Sequence, residues 1–118
     1  MICARIHWWL GSIYREIVER NVDTPHLSLY IHTFSEEVEL CSERAADPKV
    51  LRALEELFAK IHRTISDDDA VEVFAKYGRK VARLAGIRQP QLRFSPYDYL
   101  EVMYVPFKPI DESMFIEL

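Results

Sequence analysis

Residues 2–17, Ile2-Cys3-Ala4-Arg5-Ile6-His7-Trp8-Trp9-Leu10-Gly11-Ser12-Ile13-Tyr14-Arg15-Glu16-Ile17, carry two hydrophobic periods at once, and the choice between them sets the order of elements for the whole chain. Coiled as a helix over residues 4–20, the segment gathers Ile6, Trp9, Leu10, Ile13, Tyr14 and Ile17 on one face, with Arg5, Ser12, Arg15 and Glu19 on the other. Trp8 then falls on the polar side. Extended instead, Ile2, Ala4, Ile6 and Trp8 take alternating strand positions, ahead of a short helix from about Ser12. We take the longer helix as the expectation.

Outward from there, residues 27–34 alternate, with Leu27, Leu29, Ile31 and Thr33 on one side and Ser28, Tyr30, His32 and Phe34 on the other, the pattern of a strand. Residues 37–43 follow as a hairpin partner. Pairing Thr33 with Val38 and Ile31 with Leu40 puts every aliphatic side chain on one face, although Thr33-x-x-Glu36 also has the spacing of a helix capping box. Asp47 as N-cap and Pro48 at the first helical position open a helix to about Ile65, striped by Val50, Leu54, Leu57, Phe58, Ile61 and Ile65. A second helix begins at Ser66, places Asp67, Asp68 and Asp69 in its first turn, and ends before Gly86, where a left-handed cap is expected. Residues 92–94 and 99–105 read as strands around the turn Ser95-Pro96-Tyr97-Asp98. The expected fold is therefore α+β: a small antiparallel sheet against about three helices, in the order α-β-β-α-α-β-β, with residues 1–107 as one domain and 108–118 as an apolar tail.

Composition narrows the class. A chain of 118 residues with 49% hydrophobic and 12% aromatic content is sized for one well-packed domain and is too apolar to be disordered. No apolar run approaches the ~18 residues that a membrane-spanning helix needs, so no membrane partner is expected. A net charge of −4 disfavours nucleic acid as a partner of the molecule as a whole. Two cysteines, Cys3 and Cys41, are too few for a stapled secreted scaffold; they are read as reduced, and the chain as cytoplasmic. Three amide side chains against 29% charged residues give a thermophile-like balance.

Groups able to do chemistry are sparse. On the first hairpin the register just given sets His32 opposite Glu39 and diagonal to Cys41, a nucleophile, base and orienter for a Cys-His hydrolase. No sequence signature flags this cysteine, and burial among apolar neighbours makes a thiol inert, so no catalytic residue and no enzyme is expected. His7, His26, His32 and His62 share no metal-ligand spacing and there is no Cys-x-x-Cys, so no metal is expected. Asp67, Asp68 and Asp69 complement a helix dipole and lack a calcium loop's alternation. The three glycines, Gly11, Gly78 and Gly86, are too dispersed for a phosphate loop, and no cofactor is expected.

Two surface features remain. Lys76, Arg79, Lys80 and Arg83 lie on one arc of the second predicted helix, followed by Arg88 and Arg93 with no acid among them. With the element order above, this resembles a winged-helix DNA-binding domain, and the resemblance implies a transcriptional regulator with residues 69–85 as recognition helix and the last hairpin as wing. The acidic first turn of that helix would repel phosphates. Aromatic residues form the other feature: Phe94, Tyr97, Tyr99, Tyr104 and Phe107 crowd the last third, and Met114, Phe115, Ile116 and Leu118 make the tail end apolar. Tyrosines on a sheet surface are typical interface anchors, and an indole at Trp8 facing solvent calls for a cover. Trp8, Tyr97, Tyr99, Tyr104, Phe107, Met114 and Phe115 are thus the expected interface of a non-enzymatic protein-binding or regulatory module whose partner is itself, as a homodimer, or another protein.

Overall fold

A computed structural model describes residues 1–95 and 100–106. Eight elements follow in order: β1 (Ile2–Trp9), β2 (Ser12–Glu19), β3 (His26–His32), β4 (Ser35–Cys41), α1 (Pro48–His62), α2 (Asp67–Leu84), β5 (Gln91–Phe94) and β6 (Leu100–Val105). The strands form one antiparallel sheet of six in the order β2-β1-β4-β3-β6-β5. Among the described residues there are two helices, so the expected order α-β-β-α-α-β-β is overturned, and with it the winged-helix-like topology.

The correction lies in the opening stretch, which is a hairpin and not a helix. Leu10 (φ 50°) and Gly11 (φ 88°) both occupy the left-handed region, as the two central residues of a tight hairpin turn require. Around that turn Trp8 meets Ile13, Ile6 meets Arg15 and Ala4 meets Ile17. The alternation of Ile2, Ala4, Ile6 and Trp8 was the true signal. The apparent helical stripe mixes the two faces of the hairpin: Ile6, Ile13 and Ile17 face the helices, Trp9 and Tyr14 the opposite side, and Leu10 lies in the turn.

The β3–β4 hairpin exists, but its turn is Thr33-Phe34, and Leu29, not Thr33, lies opposite Val38. An even slip in register keeps each side chain on its own face, so periodicity alone could not detect it. In α1, the Asp47 carboxylate accepts the Lys49 N–H at 2.9 Å; in α2, the Ser66 hydroxyl accepts the Asp69 N–H at 3.2 Å. Both helices begin where their caps predicted, and Gly86 beyond α2 has φ 89°.

Both helices pack on one face of the sheet. Val50, Leu54, Leu57, Phe58 and Ile61 of α1 and Phe74, Val81 and Ala82 of α2 close over Ala4, Ile6, Leu27, Leu29, Val38, Leu40 and Val102. Gly78 lets α2 approach closely, since a Cβ there would stand 3.0 Å from the Tyr104 ring. Among the described residues β2 supplies none of this buried core. Cys3 and Cys41, expected to be free thiols, are joined in a disulfide. They are cross-strand partners of β1 and β4 with Cα atoms 4.1 Å apart, the close spacing of a pair not bridged by backbone hydrogen bonds.

Candidate functional site

Alternation sends Cys3, Arg5 and His7 of β1, Glu37, Glu39 and Cys41 of β4, and His26, Ser28 and Tyr30 of β3 to the face away from the helices. Strand register lines up Cys3, Cys41 and His26 in one row, with Arg5, Glu39 and Ser28 in the next. Glu39 sits at the centre, 1% exposed. Its Oε2 accepts from Arg5 Nε at 2.7 Å and from Arg20, while Oε1 lies 3.1 Å from His26 Nε2. The other nitrogen of His26, Nδ1, is 3.1 Å from the Thr24 carbonyl oxygen. Arg5 also reaches Glu16 on β2 at 3.1 Å, so the network crosses four adjacent strands.

A lone carboxylate buried this deeply would be protonated. Desolvation pushes Glu39 up, but hydrogen bonds from His26 and Arg5 and the charges of Arg20 and Arg5 outweigh it and hold the group at about 2. Glu37, one pair along the strand, goes the other way because burial dominates over Arg5. Burial also pushes the Tyr30 hydroxyl up to about 12. One side chain of each of His26, Glu39 and Cys41 offers a donor atom, and these atoms lie within 4.8 Å of one another.

The trio imagined from the sequence contained the wrong histidine. His32 lies exposed at the hairpin end opposite Ser35, and the shifted register brings His26 beside Cys41 and Glu39 instead. With Cys41 bonded to Cys3, no thiol stands ready as a nucleophile. A helix over residues 4–20 keeps Arg5 and Arg20 away from Glu39, and Cys3, expected as a free thiol, has no strand register to Cys41 in that reading. The even spacing of His26, Ser28, Tyr30 and His32 was the legible sign of a polar sheet face.

Of the expected interface, Trp8 is half-buried on the helix-facing row, its ring 5.6 Å from that of His62, which also bonds to Glu36. Tyr104 is 4% exposed, stacked on Phe74 with its hydroxyl donating to the Ala75 carbonyl. Tyr97, Tyr99, Phe107, Met114 and Phe115 lie outside the described residues. Exposed apolar surface gathers elsewhere, at the β1–β2 hairpin: Trp9 (42% exposed), Leu10 (67%), Ile13 (45%), Tyr14 (49%) and Ile17 (52%). Among the described residues β2 is a sheet edge eight residues long, paired on one side only. On its helix-facing side the Arg15–Glu55 ion pair, at 3.3 Å, separates two hollows. One, of about 370 Å³, is lined by Ala4, Ile6, Ile17 and Leu51 among others; the second, about 240 Å³, by Ile13 and Phe58 among others.

Lys76, Arg79, Lys80 and Arg83 are all exposed along α2, and the stripe runs toward a third hollow of about 640 Å³ bordered by Arg44, Arg83 and Arg88. No helix among the described residues is long and apolar enough to cross a membrane. Comparison with known protein families, curated proteins and solved structures finds none that matches this chain.

Proposed function

We propose that the chain is a non-enzymatic assembly module that pairs with a second copy of itself through the free edge of β2. The observation that carries this is an eight-residue strand that, among the described residues, is a sheet edge with Ile13, Tyr14 and Ile17 each about half exposed and no share in the core. Unpaired N–H and C=O groups on such an edge template another strand unless charge, proline or a bulge blocks them. β2 has neither proline nor glycine.

Charge selects the register. In a two-fold antiparallel pairing, a dyad at Arg15 opposes two guanidiniums and a dyad at Glu16 opposes two carboxylates. A dyad at Ile17 sets isoleucine against isoleucine beside the hollow at Leu51, and Arg15 opposite Glu19 of the partner subunit. The full chain is expected to sediment as a dimer at micromolar concentration. Ile17→Lys should leave a folded monomer, Arg15→Glu should weaken pairing, and adding Glu19→Arg to Arg15→Glu should restore it. A wild type that stays monomeric at ~100 μM, a concentration at which only affinities weaker than about 5.5 kcal/mol escape detection, would overturn the reading.

A second reading rests on the exposed cations of α2. If Lys76, Arg79, Lys80 and Arg83 contact four phosphates, binding to duplex DNA should fall with salt at a log-log slope of about −3.6. A flat response removes it.

A further inference from the structure

The row Cys3, Cys41, His26 crosses three neighbouring strands on one face, and Glu39 joins it from the next row. All four residues are at most 9% exposed. His26 donates Nδ1–H to the Thr24 carbonyl and Nε2–H to Glu39, so once Nε2 gives up its hydrogen its lone pair points toward Glu39 and Cys41, the orientation that a metal-ligating imidazole takes from its outer partner. Arg5 and Arg20 occupy Oε2 of Glu39 and leave Oε1 facing the row. The donor atoms of His26, Glu39 and Cys41 lie within 4.8 Å of one another, and reduction frees Cys3 Sγ beside Cys41 Sγ as a fourth, giving the two sulfurs, one nitrogen and one oxygen of a four-coordinate set, the preference of structural zinc.

We propose that reduction of the Cys3–Cys41 bond converts this row into a zinc site, with Cys3 Sγ, Cys41 Sγ, His26 Nε2 and Glu39 Oε1 as ligands. The disulfide and the metal are alternative staples for β1 and β4. A dithiol reductant breaks the S–S bond by exchange, becomes a disulfide itself and leaves two thiols; Zn²⁺ then displaces to water the two thiol protons and the Nε2 proton that His26 donates to Glu39. Exchanging three protons for one divalent cation lowers the buried charge by one, a change that the neighbouring guanidiniums of Arg5 and Arg20 favour.

The test uses the full chain, reduced under argon, titrated with Co²⁺ as a spectroscopic stand-in and then with Zn²⁺. One equivalent of Co²⁺ should give a thiolate-to-cobalt charge-transfer band with tetrahedral ligand-field bands, both abolished by Zn²⁺. Oxidised protein should show neither, and Cys3→Ser and Cys41→Ser should lose at least about tenfold in affinity, as should His26→Asn. Because His26→Asn removes a buried contact, His26→Cys is measured beside it and should retain one equivalent with a stronger charge-transfer band. Absence of any band in the reduced wild type overturns the proposal, as does affinity unchanged in both His26→Asn and Glu39→Gln.

Discussion

Glu39 is the residue on which the polar face turns. Its carboxylate is held at about 2, below the ordinary 4.5, so its stabilising effect is fully present above the unfolded value and lost as pH falls through the folded one. A shift of that size corresponds to about 3 kcal/mol. Denaturant unfolding of the wild type should therefore lose stability between about pH 4.5 and 2, while Glu39→Gln, already weaker at pH 7, should change less over that window. Parallel curves for the two proteins across that range would show that the carboxylate is not held by these partners. Glu39→Ala is harsher still: it leaves Arg5, Arg20 and His26 around an empty position, a loss of about 3–5 kcal/mol at neutral pH. None of these partnerships was legible in the sequence. Thirty-four residues separate Arg5 from Glu39, and only strand order brings them together.

At the scale of elements, legibility followed the strength of local signals. Asp47-Pro48, Ser66 with its acidic first turn, and Gly86 each satisfy a backbone need at a helix end, so α1 and α2 could be placed from composition within a few positions. The β1–β2 turn lacked such a marker. Leu10 takes φ 50°, a conformation that glycine or asparagine adopts more readily than leucine, and the pair Leu10-Gly11 does not announce a hairpin as Asn-Gly would. The same mismatch yields a prediction. Leu10 is 67% exposed, so its side chain contributes little to packing, and Leu10→Asn should relieve the backbone at small cost. The variant is expected to gain about 0.5–1 kcal/mol in denaturant unfolding. A loss of stability would mean that the leucine is covered in solution, which points to the same hairpin as a contact surface.

For the molecule as a whole, the disulfide decides how firmly its least embedded part is attached. The β1–β2 hairpin sends Ala4 and Ile6 into the core from β1 and nothing from β2, so it is fastened chiefly through β1's pairing with β4 and the bond between Cys3 and Cys41. That bond closes a loop of 38 residues, and its removal is worth up to about 4 kcal/mol through the entropy of the unfolded chain. Reduction should lower the denaturant midpoint by a corresponding amount, and Cys3→Ala with Cys41→Ala should match the reduced wild type. Both sulfurs belong to residues with no exposed surface, so a reductant reaches them only when the β1–β4 seam opens. Reduction in native buffer should then be far slower than in denaturant, and hydrogen exchange of the reduced protein should speed up first in β1 and β2. If the midpoint is the same with and without reductant, while mass spectrometry confirms that the bond has been broken, the hairpin is held by strand pairing alone. Loosening this hairpin also loosens the edge through which two copies would pair, so reduction without zinc should weaken self-association together with stability.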